Sequence, residues 1–197
     1  MLKSDDLINK VKSYNKFLNP ETLNKAYLFA IKAHENQKRD SGDPYVIHPV
    51  AVANILTELK LDSATIATGL LHDTIEDTHA TYQTIKSEFG QEVADLVEGV
   101  TKISVFENQA LSNSKAENFR KLILATSKDI RVLLVKIADR LHNMRTIKAI
   151  SNADKRKRIA QETMEIYAPL ADRMGMHIIR DELEDLSFEI LNNKGRE

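Results

Sequence analysis

Cysteine is absent from the chain. Its absence excludes disulfide bonds, zinc–thiolate sites and a thiol nucleophile, so any bound metal must have nitrogen and oxygen ligands only. Glycine and proline are scarce, with six and four occurrences in 197 residues, which leaves little room for a turn-rich sheet. We therefore expect an all-α protein with one sizeable core.

Long apolar runs are also missing. No run approaches the ~20 residues that cross a bilayer, and the N-terminal segment contains no hydrophobic stretch like that of a signal peptide, so we expect a cytoplasmic protein. An excess of either charge is missing as well, because 28 Lys and Arg stand against 29 Asp and Glu. This balance gives no reason to expect a nucleic-acid or membrane partner, and any anion must be bound by a local group of residues.

The sequence does contain apolar residues at helical spacing, placed between residues that favour helix ends. The predicted helices are Ser4–Phe17, Pro20–Glu35, Val50–Leu59, a helix capped by Asp62 or Ser63, a helix from Thr81 to Phe89, Gln91–Ser104, a helix ending at Ser127, Ile130–Ile150 and Asp172–Leu191. Residues Glu107–Ser114 lack this periodicity and are predicted to form a mobile loop.

One histidine and three carboxylates lie close together in the helix predicted after Asp62. Residues four apart lie one above the other on a helix, so the four side chains would share one flank. No Lys or Arg occurs between Asp62 and Gln83, whereas a solvated helix face usually carries basic residues in i,i+4 pairs. Uncompensated carboxylates beside a histidine indicate a cation site, and an acidic surface turn is the alternative. The four residues are His72, Asp73, Glu76 and Asp77.

Two further donors lie beside other predicted helices. His48 precedes Pro49, which favours a helix start and restricts His48 to an extended conformation. Asp139 lies opposite the apolar stripe of the predicted helix Ile130–Ile150, on a side that would ordinarily face water. A helical bundle can bring both side chains to the pair of His72 and Asp73.

Two imidazoles and two carboxylates suit Mn²⁺, Fe²⁺ or Zn²⁺, and such an ion can lower the pKa of bound water and polarise a phosphoryl oxygen. Glu76 and Asp77, one helical turn further on, can orient the attacking water or take its proton. Lys38 and Arg39 lie in the predicted loop Gln37–Ile47 and can hold an anionic substrate. The combination predicts hydrolysis of a phosphate ester.

Five segments carry a resemblance to one family. They are YVIHPVAVA, LLHDTIEDT, VEGVTKIS, KIADRLHNMRT and YAPLADRMGM, and the likeness runs from about Tyr27 to Leu191. The spaced histidines and aspartates are similar to the HD-domain superfamily of metal-dependent phosphohydrolases. The full segments resemble the hydrolase domain of the RelA/SpoT homologues, enzymes of guanosine tetra- and pentaphosphate metabolism. The resemblance implies an HD-domain helical bundle of about ten helices, as a single domain over residues 1–197 with its core at about 20–191.

The resemblance also implies a cofactor, a substrate and site residues. The expected cofactor is Mn²⁺, and the expected reaction is hydrolysis of the 3′-pyrophosphate of ppGpp or pppGpp to GDP or GTP and pyrophosphate. The implied metal ligands are His48, His72, Asp73 and Asp139, and the implied catalytic pair is Glu76 and Asp77. The residues implied to line the nucleotide pocket are Arg39, Ser41, Asn143, Thr146 and Tyr167.

The sequence departs from the family pattern in three places. Asp40 stands where many relatives have a second basic residue, which affects how the 5′-phosphates or the base are held. Asp172 stands where a histidine is frequent. The sequence ends soon after Leu191, where bifunctional relatives continue into a synthetase domain, so we expect a stand-alone hydrolase, a naturally shortened homologue or part of a longer enzyme.

Two other functions are compatible with the same residues. One is phosphohydrolysis of another nucleotide, such as NADPH, because related hydrolases share the same ligands. The other is a non-catalytic module that binds the alarmone without cleaving it. A competition assay among nucleotides separates the first from ppGpp hydrolysis, and tight ppGpp binding without turnover identifies the second.

Overall fold

The computed structural model describes residues 1–109, 121, 124 and 128–192. Helices dominate these residues and none of them belongs to a β-strand, although an isolated bridge pairs Lys38 with Pro44. The prediction of an all-α fold is confirmed. Residues 110–114 of the predicted loop and most of the predicted helix ending at Ser127 lie outside the described residues.

The chain divides into two compact units, Met1–Asp139 and Arg140–Glu197. The expectation of a single domain over residues 1–197 stays a prediction. The first unit contains α1 (Ser4–Lys12), α2 (Pro20–Ala33), α3 (Ile47–Glu58), α4 (Ser63–Leu71), α5 (Thr74–Asp77), α6 (Tyr82–Phe89), α7 (Gln91–Gln109) and the start of α8 (Arg131–Arg145).

Helix α4 is the central element of the first unit. It packs against α2, α3 and α7, and every residue from Thr65 to Leu71 is buried. Its start is fixed by the Asp62 side chain, which accepts a hydrogen bond from the Thr65 backbone N–H at 3.3 Å. Gly69 permits a close approach to α3, because a Cβ atom there would lie 2.6 Å from Leu56 Cδ1. The helix that carries His48 and the helix that ends just before His72 are thus in direct contact.

An arginine links the beginnings of three helices in the same unit. Arg131 Nη1 lies 2.9 Å from Asp62 Oδ2 and 2.7 Å from Glu92 Oε1, and its Nη2 lies 2.7 Å from Asp129 Oδ2. These carboxylates stand at or near the N-termini of α4, α7 and α8, where negative charge is favourable. Arg131 connects them while remaining partly exposed.

The second unit consists of a 3₁₀ turn and helices in close succession. Its elements are the 3₁₀ turn Ile147–Ala149, α9 (Ala153–Glu162), a π-helical turn (Thr163–Tyr167), α10 (Ala168–Arg173) and α11 (His177–Leu191). The π-helical turn leads directly into α10, and Pro169 occupies the first turn of that helix, where its missing N–H costs nothing. Helix α11 packs against α9, the π-helical turn and α10.

Several predicted helix ends were wrong. Helix α1 ends at Lys12 rather than Phe17, and α7 extends beyond Ser104 to Gln109, so Glu107 is helical. The last helix begins at His177 rather than Asp172, because Gly175 adopts a φ of +73° and ends α10. By contrast, the helix predicted from Thr81 to Phe89 is confirmed, with the Thr81 hydroxyl accepting a hydrogen bond from the Thr84 N–H.

Within the described ranges, no helix combines the length and the apolar character that crossing a lipid bilayer requires.

Candidate functional site

The expected single helix through the acidic segment was wrong, because α4 ends at Leu71 and a separate short helix begins at Thr74. Local side chains replace the backbone donors at this end. His72 Nδ1 donates to the Gly69 carbonyl at 2.6 Å, and the Thr74 hydroxyl donates to the Leu71 carbonyl at 2.7 Å. The break separates a buried pair, His72 and Asp73, from the exposed Glu76 and Asp77.

The extended conformation expected for His48 was also wrong. Helix α3 begins at Ile47, so His48 lies in its first turn and Pro49 follows inside the helix. The first four N–H groups of a helix have no intrahelical partner, so proline is tolerated there. His48 is 2% exposed and points into the first unit.

All four predicted ligands meet in the first unit. Asp139 Oδ1 lies 2.7 Å from His48 Nε2 and 3.3 Å from His72 Nε2. Asp73 Oδ2 lies 3.0 Å from His72 Nε2 and 3.8 Å from His48 Nε2. Asp139 is 6% exposed, although its helix position suggested a solvated face. His48, His72 and Asp139 offer ligand atoms that all lie within 4.8 Å of one another.

The hydrogen bonding of His72 fits a cation at this point. Because Nδ1 donates to a carbonyl, the neutral ring has its lone pair on Nε2. Among the described residues, Nε2 is buried and forms no hydrogen bond, although it faces carboxylate oxygens of Asp73 and Asp139. Those oxygens are acceptors too, so a cation satisfies all of them. The two imidazoles and the carboxylates indicate a divalent metal.

Burial and neighbouring opposite charges shift the pKa values of these groups in opposite directions. Burial by itself lowers the pKa of the His72 imidazole, but the charges of Asp73 and Asp139 raise it well above its usual range. Burial lowers the pKa of His48 despite its contact with Asp139. Burial would raise the pKa of Asp139, but Lys136 and the two histidines hold it well below its usual range. The carboxylates are therefore ionised and available to a cation.

Glu76 and Asp77 lie at the surface next to this cluster. Partial burial, followed by the charges of Asp77 and Asp73, raises the pKa of Glu76, and partial burial and Asp73 raise the pKa of Asp77. Glu76 Oε1 accepts a hydrogen bond from the amide of Asn108 at 3.3 Å. The Asp77 backbone carbonyl accepts one from Gln37 Nε2 at 2.7 Å. Their role as a catalytic pair stays a prediction.

The sequence did not reveal the residues that hold the carboxylates of Asp73 and Asp139. The Tyr45 hydroxyl donates to Asp73 Oδ2 at 2.6 Å, and the Lys136 ammonium donates to Asp139 Oδ2 at 2.9 Å. Lys136 also contacts Glu107 Oε2 at 2.9 Å. The only sequence signal was the position of Lys136 on the same helix side as Asp139, three residues away.

The predicted substrate loop is a tight hairpin. The Tyr45 N–H donates to the Gln37 carbonyl and the Arg39 N–H donates to the Asp43 carbonyl, both at 2.9 Å. Arg39 is half-buried, whereas Ser41 is exposed and donates its hydroxyl to Asp43 Oδ2 at 2.8 Å. The nucleotide contacts predicted for Arg39 and Ser41 stay predictions.

The remaining predicted pocket residues lie in the second unit. Asn143 and Thr146 are half-buried, and the Thr146 hydroxyl donates to the His142 carbonyl at 3.1 Å. Tyr167 is 1% exposed, with the Arg140 guanidinium 4.3 Å from its ring centre. Among the described residues, its hydroxyl has no hydrogen-bond partner. The nucleotide contacts predicted for Asn143, Thr146 and Tyr167 stay predictions.

Comparison with known proteins gives consistent matches. Residues 26–177 match the family model described as HD domain. The Brucella melitensis protein named GTP pyrophosphokinase rsh is 55% identical over 192 residues, which are 98% of this chain and 26% of that protein. The Escherichia coli K12 protein named bifunctional (p)ppGpp synthase/hydrolase SpoT is 57% identical over 169 residues, which are 86% of this chain and 24% of that protein. The chain thus spans about a quarter of the length of these curated relatives.

A solved structure is also similar. It is described as a metazoan ortholog of SpoT that hydrolyzes ppGpp and plays a role in starvation responses. The two chains align with a TM-score of 0.64 and 25% sequence identity, over 92% of this chain and 99% of that one. The resemblance to SpoT-type proteins noted in the sequence is confirmed by these matches.

Proposed function

Because this chain belongs to the HD-domain family, we propose that it hydrolyses the 3′-pyrophosphate of ppGpp or pppGpp with Mn²⁺ as its cofactor. The names of the relatives, one a (p)ppGpp synthase/hydrolase and one a ppGpp hydrolase, support this substrate class. The observation that carries the proposal is the buried cluster in which His48 and His72 face the Asp139 carboxylate, with Asp73 beside them.

The proposed reaction is a simple hydrolysis. The oxygen of water forms a bond to the phosphorus attached to the ribose 3′-oxygen, and the bond between that phosphorus and the 3′-oxygen breaks. The electron pair stays on the 3′-oxygen, which takes up a proton. The products are GDP or GTP and pyrophosphate, and no oxidant or second substrate is needed.

The chain's own residues would divide the work. His48, His72, Asp73 and Asp139 would hold the metal ion. A bound divalent ion supplies Lewis-acid activation of the phosphoryl group and of the attacking water. Glu76 or Asp77 would accept the proton of the water, and the raised pKa of each makes it a stronger base than an ordinary carboxylate.

The nucleotide itself would be bound by the residues predicted from the family. Arg39 offers a planar guanidinium that suits bidentate phosphate contact or stacking on the base. Ser41, Asn143, Thr146 and Tyr167 complete the proposed set. We further propose that residues 1–197 form a single HD-type domain and that the protein is cytoplasmic, where a free nucleotide would be available.

The test is a turnover assay with purified protein, ppGpp and Mn²⁺, in which GDP and pyrophosphate are separated by ion-exchange chromatography. Asp73→Ala should lose metal and activity together. Glu76→Gln should keep the metal and lose about 10²- to 10⁴-fold in kcat, the usual contribution of a general base. Asp95→Ala removes an exposed carboxylate that accepts a hydrogen bond from the Tyr82 hydroxyl, and this control variant should keep full activity.

Three results would contradict the proposal. If no divalent metal supports pyrophosphate release, the proposed ppGpp hydrolase activity is wrong. A preference for a nucleotide without a 3′-pyrophosphate, such as NADPH, would replace the substrate. Tight ppGpp binding without turnover would make the chain a binding module.

A further inference from the structure

A buried ammonium lies directly behind the candidate metal centre. Lys136 is 4% exposed, and lysine is rarely buried to this extent without partners. Its Nζ atom lies 2.9 Å from Asp139 Oδ2, 2.9 Å from Glu107 Oε2 and 3.2 Å from Ser104 Oγ. An ammonium group has three N–H donors, and these three acceptors can occupy all of them.

The ammonium distinguishes the two oxygens of Asp139. Oδ2 accepts from Lys136, whereas Oδ1 faces His48 Nε2 at 2.7 Å and His72 Nε2 at 3.3 Å. A quarter turn of the carboxylate about its last bond would move both oxygens away from their partners and break the contact with Lys136. The side chain is therefore held with Oδ1 turned toward the histidines.

Helix α7 holds the ammonium in turn. Ser104 and Glu107 are three residues apart and so lie on the same side of the helix, and both reach Lys136 on α8. Glu107 has a side chain only 18% exposed, so it is poorly screened by water. The last turns of α7 therefore contact Asp139 indirectly, through Lys136.

We propose that Lys136, held by Ser104 and Glu107, is a positioning residue that orients Asp139 for metal binding. This inference rests on the proposed metal ligands and not on the identity of the nucleotide. Partners that orient metal ligands are worth about 10- to 100-fold in metal affinity.

Charge alone offers a competing explanation that single substitutions cannot separate from positioning. Removing Lys136 would take away a positive charge that repels the metal, while removing Glu107 would take away a negative charge that attracts it. The double variant Lys136→Met/Glu107→Gln leaves the net charge unchanged and deletes the hydrogen bond to Asp139. Both members of the Lys136–Glu107 pair are replaced by uncharged groups of similar size, a change that is often tolerated, and circular dichroism checks that the variant folds.

Calorimetric titration with Mn²⁺ in the absence of nucleotide measures the effect without relying on activity. We expect the dissociation constant of the double variant to rise by about 10- to 100-fold relative to wild type. The matched control is Glu98→Gln/Lys102→Met, which removes an exposed pair of the same type on α7 with an N–O distance of 3.9 Å. Its dissociation constant should stay within about twofold of wild type, since exposed pairs contribute little.

The variant Ser104→Ala gives a second test that changes no charge. It removes one neutral acceptor of the ammonium, and we expect a loss of about threefold in Mn²⁺ affinity, a part of the usual value of one hydrogen bond. If the double variant fails to fold by circular dichroism, this variant decides the question, and unchanged affinity would overturn the proposal.

The titration of wild type tests the metal centre separately from the role of Lys136. If wild type binds no Mn²⁺, the proposed metal centre itself is wrong. If wild type binds Mn²⁺ and the double variant binds it equally well or more tightly, only the positioning role of Lys136 is wrong.

Discussion

The contact between α7 and α8 at Gly99 leads to a specific stability prediction. A Cβ atom added at Gly99 would lie 2.8 Å from Val132 Cγ2 and 3.3 Å from Val132 Cγ1, both closer than ordinary van der Waals contact. Val132 is 5% exposed, and its β-branched side chain is restricted about χ1. Neither methyl can move aside easily, so we expect Gly99→Ala to push the two helices apart.

Two opposing contributions set the size of the effect. Alanine in place of glycine inside a helix stabilises by about 1 kcal/mol, whereas forcing a methyl group into a packed core costs about 1 to 3 kcal/mol. We expect Gly99→Ala to lower the free energy of unfolding by about 1 kcal/mol in the wild-type background. In a Val132→Ala background the obstructing methyls are absent, so the same change should raise the free energy of unfolding by about 1 kcal/mol.

Urea denaturation of wild type, both single variants and the double variant measures this reversal. A coupling of about 2 kcal/mol between the two positions is expected, well above the ~0.5 kcal/mol typical of independent sites. If Gly99→Ala stabilises the wild-type protein by the full helix-propensity gain, the contact is looser than these distances indicate. The same result would also count against the close contact between Glu107 and Lys136, which joins the same two helices.

Two further predictions concern hydrogen bonds to carboxylates. Tyr45→Phe removes the donor to Asp73 Oδ2 and should weaken Mn²⁺ binding about tenfold or more, as measured by calorimetry. The control Tyr82→Phe removes an exposed phenol hydrogen bond of the same 2.6 Å length and should leave Mn²⁺ affinity unchanged. Equal affinities of the two variants would contradict a positioning role for Tyr45. The hydrogen bond from Arg131 lowers the pKa of Asp129, so its stabilisation is present above the ordinary pKa of about 3.9 and is lost as the pH falls through the lowered folded value. Asp129→Asn should therefore reduce the free energy of unfolding by roughly 0.5 to 1 kcal/mol at pH 7, with a difference that shrinks below about pH 4, and a difference that grows in acid would refute the assignment.

The sequence predicted elements well where local signals decide them. Thr81 and Gly90 bracket α6 because a hydroxyl cap and a glycine with φ near +90° act within one turn. The break after Leu71 was missed because hydrophobic periodicity does not register side chains that compete for backbone carbonyls. His72 and Thr74 do so here, and the register of the acidic residues changes with them.

The residues of the buried cluster were predictable from the sequence, but the groups that hold them in place were not. His48, His72 and Asp139 are recognisable as metal-binding residue types in a spaced pattern, whereas Tyr45 and Lys136 become informative only when the packing of helices is known. Tyr45 is 28 residues from the aspartate that it contacts. Lys136 meets α7 through Ser104, 32 residues away, and no periodicity specifies which helices meet.

The pair of Lys136 and Glu107 can hold Asp139 in place without changing which ion the site prefers. Asp73 and Asp139 carry two negative charges in a buried site, and such charges are costly unless they are compensated. A divalent cation compensates both, whereas a proton on His72 compensates one. Lys136 adds a positive charge next to Asp139 and lowers the pKa of that carboxyl, while Glu107, 2.9 Å from the same ammonium, makes the ion pair neutral overall. The ion pair therefore fixes the orientation of the ligand while the two aspartates still set the demand for a doubly charged ion.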